Sequence, residues 1–184
     1  GSLDPDIMPE ETISSDTELE WTSIDGINDQ ERLYSTSNKF DYSDPNLIKD
    51  ITNIKSLINT DTDSQYKIGE KLNYSLEFEV IKGTTENVEL KASLPDGVKY
   101  LSSNITPDGT GDNDFSVSKP SANSTGDLSW DFGIIKNTSD TNTIKVDFEV
   151  QIMNSTANTA KKKKKISTQL VYDTAASIDK TTNQ

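Results

Sequence analysis

The chain contains no cysteine and no histidine among its 184 residues. Without cysteine there is no disulfide framework and no thiolate ligand for a metal. Without histidine it lacks the commonest general base, the commonest zinc ligand and the usual pH switch. No G-x-S-x-G elbow and no glycine-rich phosphate loop is present either, so nucleophilic and nucleotide-dependent chemistries have no recognisable seat. The chain reads as a non-enzyme. Hydrophobic residues are also scarce, at 31%, below the usual share of a globular domain. There is no membrane span and no secretory leader in the sequence, so no direct membrane insertion is expected. The leading Gly1-Ser2 reads as a cloning remnant and the chain as a piece of a longer protein.

Positive charge is in short supply. Acidic residues number 31 against 18 Lys and Arg, a net charge of −13. Residues 1–50 alone hold 13 acids and 3 bases. Nucleic-acid binding needs clustered cations to neutralise phosphates, so that partner class is excluded. One basic run exists, Lys161, Lys162, Lys163, Lys164 and Lys165. Five consecutive cations repel one another and read as a solvated loop, or as a weak contact to an anionic cell-wall or lipid surface.

What is present is alternation. Leu72, Tyr74, Leu76, Phe78 and Val80 alternate with polar residues. Val88, Leu90, Ala92 and Leu94 do the same after Lys82-Gly83-Thr84-Thr85, which reads as a turn. Leu128, Trp130 and Phe132 form a strand pattern ending at Gly133. Ile144, Val146, Phe148, Val150 and Ile152 form another, and Ile166, Thr168, Leu170 and Tyr172 the last. Period two means one buried and one wet face. The fold class is therefore all-β: an immunoglobulin-like antiparallel β-sandwich of roughly seven to nine strands. Trp130, Phe78, Tyr74, Phe148, Val146, Leu90 and Leu170 are its expected core.

Three sequence pieces in order, Ile68-Gly69-Glu70-Lys71-Leu72-Asn73-Tyr74, Lys82-Gly83-Thr84-Thr85-Glu86-Asn87-Val88 and Leu94-Pro95-Asp96-Gly97-Val98-Lys99-Tyr100, carry a resemblance. They resemble the DUF11 repeat of bacterial and archaeal surface proteins, an isopeptide-forming type found in fimbrial and adhesin-like chains. The resemblance covers roughly residues 50–176. It implies an extracellular location at the cell surface or cell wall. The function it implies is that of a non-catalytic stalk or spacer module of an adhesin or fimbrial protein. Adjacent repeats of the same polypeptide are its implied partners. Alternatives are a module that binds host or neighbouring-cell glycan or protein through its loops, and a strand-exchanging pilus subunit. Glu18-Leu19-Glu20-Trp21-Thr22-Ser23-Ile24-Asp25-Gly26, then Glu31-Arg32 and Asp41-Tyr42, resemble the end of a preceding repeat. Residues 1–12 then form a disordered acidic leader, 13–46 a closing strand and tail, 47–176 the sandwich and 177–184 a tail. The strand at 13–23 is expected to dock on a sheet edge of its own sandwich or of a neighbouring molecule.

Two chemical candidates remain. The resemblance points to Lys55 as the amine of an intramolecular isopeptide bond. Its closing strand, however, has no Asn, and offers Asp173 alone, so no such bond is expected. Asp108, Asp112 and Asp114, in a loop with Gly109 and Gly111, form a weak calcium candidate, because hard cations take several oxygen ligands from such loops. Asp- and Gly-rich loops are more often plain turns. No other cofactor is expected. Asn73, Asn104, Asn123, Asn137 and Asn154 each open an Asn-x-Ser/Thr triplet, the acceptor for N-glycosylation.

Overall fold

In a computed structural model, the structure describes residues 6–11, 13–22, 33–42, 57–59, 66–107, 109, 112–159, 163–175 and 180–183. Nine strands lie among them: β1 (Ile13–Thr22), β2 (Leu33–Tyr42), β3 (Leu57–Asn59), β4 (Lys71–Ser93), β5 (Val98–Thr106), β6 (Asn113–Asp114), β7 (Asp127–Ile152), β8 (Ser167–Tyr172) and β9 (Lys180–Asn183). The described residues contain no helix. Every strand pairing is antiparallel, and the fold is an immunoglobulin-like β-sandwich.

Two long strands organise it. β4 and β7 pair from Lys71↔Gln151 to Ser93↔Asp127, with register shifts between Ile81 and Glu89. Those shifts fold the ladder over. One half, β4 71–81 with β7 141–151, is flanked by β3 and β5. The other, β4 88–93 with β7 127–133, is flanked by β8, which carries β9. β6 pairs at the fold itself, with Asn137 and Lys136. Aromatic rings close the space between the halves. Phe78 meets Phe132 at 5.5 Å and Trp130 meets Phe148 at 5.2 Å, while Tyr100 of β5 stands edge-on to Trp130 at 6.0 Å. The core positions read from the alternation are buried, with Tyr74 packed at the margin.

The segment Lys82-Gly83-Thr84-Thr85 is therefore not a turn between two paired strands. It is the corner at which one strand passes from sheet to sheet. Thr84 and Thr85 are buried there. Gly83 (φ 127°) and Asn87 (φ 53°) carry the backbone through positive φ, a region that glycine and, less readily, asparagine tolerate. Gly133 (φ 59°) does the same in β7, which continues past it to Ile152 rather than ending. Asn137 pins the corner. It is 1% exposed, donates from Nδ2 to the Val80 carbonyl at 3.1 Å, and accepts through Oδ1 from the Ser139 amide and Asn142 Nδ2.

β1 pairs with β2 through a full ten-residue register, Ile13↔Tyr42 to Thr22↔Leu33. Its described partner is this second strand and not a sandwich edge.

Candidate functional site

The feature with the most specific geometry is the corner of β4 and what covers it. Asp6–Glu11 of the acidic leader forms a strap across this corner instead of a loose tail. The Thr84 amide donates to the Ile7 carbonyl at 2.8 Å, and the Ala175 amide donates to the Pro9 carbonyl at 3.0 Å. Ile7 is 8% exposed and Pro9 is buried. Asp6 pairs with Lys136 at 3.1 Å, and Thr174 Oγ1 donates to Glu10 Oε2 at 2.9 Å. Gly83 makes room for the strap: a Cβ on it would lie 2.4 Å from the Ile7 carbonyl oxygen. The signal missed in the sequence is the apolar Ile7-Met8-Pro9 inside an otherwise acidic segment.

Asp173 sits beside this corner, 8% exposed. Asn87 Nδ2 donates to its Oδ2 at 2.6 Å, and its own amide donates to the Glu86 carbonyl at 2.9 Å. This ties the end of β8 to the crossing segment of β4. Lys55, the other half of the isopeptide candidate, lies outside the described residues.

Of the calcium candidate, Asp108 also lies outside them. Asp112 and Asp114 are exposed and flank a buried Asn113. The Thr138 hydroxyl and amide donate to Asp112. Among the described residues no cluster of three or more carboxylates is gathered to hold a metal ion. In the lysine run, Lys161 and Lys162 lie outside the described residues, and Lys163 and Lys165 are exposed. Lys164 departs from the solvated reading: its Nζ donates to the Asp96 carbonyl and, at 3.2 Å, to the Ala157 carbonyl. It ties the segment that leads into β8 to the 95–97 turn.

A shallow groove of about 470 Å³ runs over the outer face of the β7–β4–β8 sheet. Its walls are part polar and part apolar, with Ala92 and Leu128 among them; Ser93 Oγ donates to Asp127 at 2.6 Å, and Ser129 Oγ and Lys91 Nζ both reach Glu89, at 2.6 and 2.9 Å. Burial raises the pKa of Glu89, but the Ser129 and Lys91 hydrogen bonds and the Lys91 charge outweigh it, and the net shift is downward. No aromatic ring lines the groove, so it lacks the apolar platform on which a sugar face could stack.

No protein-family model matches the sequence, and no curated protein matches it. Among solved structures, the chain is similar to a 35 kDa C-terminal fragment of the major pilin GBS80 of Streptococcus agalactiae. The TM-score is 0.45 and the identity 16%, over 72% of this chain and 51% of that one. It is similar to the collagen-binding domain of the Erysipelothrix rhusiopathiae surface protein RspB, with TM-score 0.38 and identity 12%, over 96% and 56% of the two chains. It is also similar to ACE19, the collagen-binding subdomain of the Enterococcus faecalis surface protein ACE, with TM-score 0.34 and identity 13%, over 66% and 94%. The chain thus spans about half the length of the first two.

Proposed function

We propose that this chain is a non-catalytic, extracellular module of a cell-surface adhesin or fimbrial protein, with the sandwich serving as a structural spacer. The observation that carries the reading is the β4–β7 ladder. Both of its strands run continuously through the two halves of the sandwich and pair again across a bulged corner, so the two sheets are linked by the chain itself as well as by the core between them. A body wound in this way resists deformation as a unit, and the groove over its β7–β4–β8 face is shallow. The DUF11-like sequence pieces support placement on a cell surface, next to further repeats.

Stretching single molecules tests it. The sandwich, residues 66–175, is expected to give way in one force peak that releases roughly 36–40 nm of chain. Smooth extension with no peak would remove the load-bearing role. A second reading, attachment to a protein through the polar groove, rests on the hydrogen-bonded Ser–carboxylate pairs lining it. Specific capture on a protein array, lost in Glu89→Ala, would favour that reading over the spacer.

A further inference from the structure

The strap has the character of a bound peptide. It belongs to no strand of either sheet. Its carbonyls at Ile7 and Pro9 meet amides that the corner presents at Thr84 and Ala175. Its Ile7 and Pro9 are buried, and Ile7 lies over the space left open by Gly83. Its acids meet complementary groups on the rim, Asp6 at Lys136 and Glu10 at Thr174. Every one of these contacts lies between residues 6–11 and the folded sandwich, and residues 12–70 separate the strap from β4. Entropy charges little for loops of that length as they lengthen, and closure within one chain and closure between chains differ mainly by effective concentration.

We propose that the notch formed by Gly83, Thr84, Thr174 and Ala175 is an exchangeable docking site, and that the strap of a second copy of this chain fills it, linking copies head to tail. The occupant is set by the chemistry seated there: an extended segment with buried Ile and Pro, flanked by acids that match Lys136 and Thr174. Donor and acceptor are different surfaces of one chain, so the contact is heterologous and repeats into an open series unless its rotation happens to close. The net charge of −13 opposes association of copies, and salt screens that repulsion. This proposal goes beyond the spacer reading and does not depend on it, since copies can be linked whether or not the sandwich bears load.

The test uses the full chain. Unlabelled and ¹⁵N-labelled protein are mixed and incubated over a range of concentrations at ordinary salt. A carbodiimide then joins carboxylates to amines in direct contact, with loss of water, and the digest is analysed by mass spectrometry. The expected result is an Asp6–Lys136 cross-link whose mixed-isotope share rises with concentration, in step with the mass measured by light scattering. Ile7→Asp, which leaves the sheets untouched, should reduce the cross-link and the oligomer at least tenfold, as should Gly83→Val if it folds. Same-isotope cross-links alone at every concentration would overturn the proposal, because the strap would then be fixed in its own chain. Absence of the cross-link, or an oligomer indifferent to Ile7→Asp, would overturn it too.

Discussion

Trp130 Nε1 and the Tyr100 hydroxyl both donate to Ser103 Oγ, at 2.9 and 2.8 Å. One small side chain thus satisfies two donors belonging to large buried rings. Ser103→Ala is expected to cost about 1–3 kcal/mol, the cost of stranding buried polar groups. Phe148→Ala, which empties the space between Tyr74 and Trp130, should cost about 3–5 kcal/mol. Urea melts check both, and a silent Ser103→Ala would mean that water replaces the hydroxyl. Phe148 is legible from period-two alternation, because burial of one face is what that period encodes. Ser103 is not legible, because its partners belong to β5 and β7 and meet only after the sheets close. Glu89 contributes to the pH dependence of stability. Its folded pKa is lowered, so its contribution is present above the ordinary glutamate range and lost as pH falls through the folded value. Glu89→Gln should therefore flatten the acid limb of stability against pH, and leave the neutral-to-alkaline limb unchanged. A parallel acid limb in the variant would show that Glu89 does not contribute.

At the scale of elements, the corner of β4 separates what the sequence shows from what it hides. The phases of 72–80 and 88–94 are plain in the alternation. Their continuity is not, because Lys-Gly-Thr-Thr has the composition of a hairpin turn and the bulged crossing uses the same residue types. Gly133 misleads in the same way. β2 escapes notice because Ser35, Ser37 and Asn38 dilute its pattern. The closing strand β8 is legible, but the use of Asp173 as a tie to Asn87 is not, since it depends on where β4 crosses. Asn87 combines a positive φ with this tie. Asn87→Gly keeps the backbone and loses the bond, whereas Asn87→Ala loses both. Ala should be the more destabilising by about 1–2 kcal/mol, the cost of the left-handed region for a residue with Cβ. Equal losses would place the whole effect in the Asp173 hydrogen bond.

For the whole molecule, burial sorts the five Asn-x-Ser/Thr triplets that the sequence treats alike. Asn73, Asn104, Asn123 and Asn154 are exposed, and Asn137 is buried in the corner network. Secreted from a host that glycosylates asparagine, the folded protein should carry glycan on members of the exposed set and none on Asn137. Glycopeptide mapping of the folded fraction decides it, and occupancy at Asn137 would contradict the corner as described.

The β4–β7 ladder also sets an order of assembly. Ser93 and Asp127 are 34 residues apart in sequence, whereas Lys71 and Glu149, at the other end, are 78 apart. Closing the shorter loop costs less entropy, so pairing should start at 88–93 with 127–133 and zip through the corner towards 71 and 151. Leu90 then belongs to the nucleus and Leu72 to the late end. Leu90→Ala should chiefly slow refolding, and Leu72→Ala should chiefly speed unfolding. The two chevron plots would exchange these signatures if the zipper ran the other way. Until residues 127–133 have been synthesised, β4 has no β7 to pair with. A 23-residue strand must therefore wait with its ladder groups open, which makes the newborn chain, rather than the finished sandwich, the state most in need of protection from aggregation.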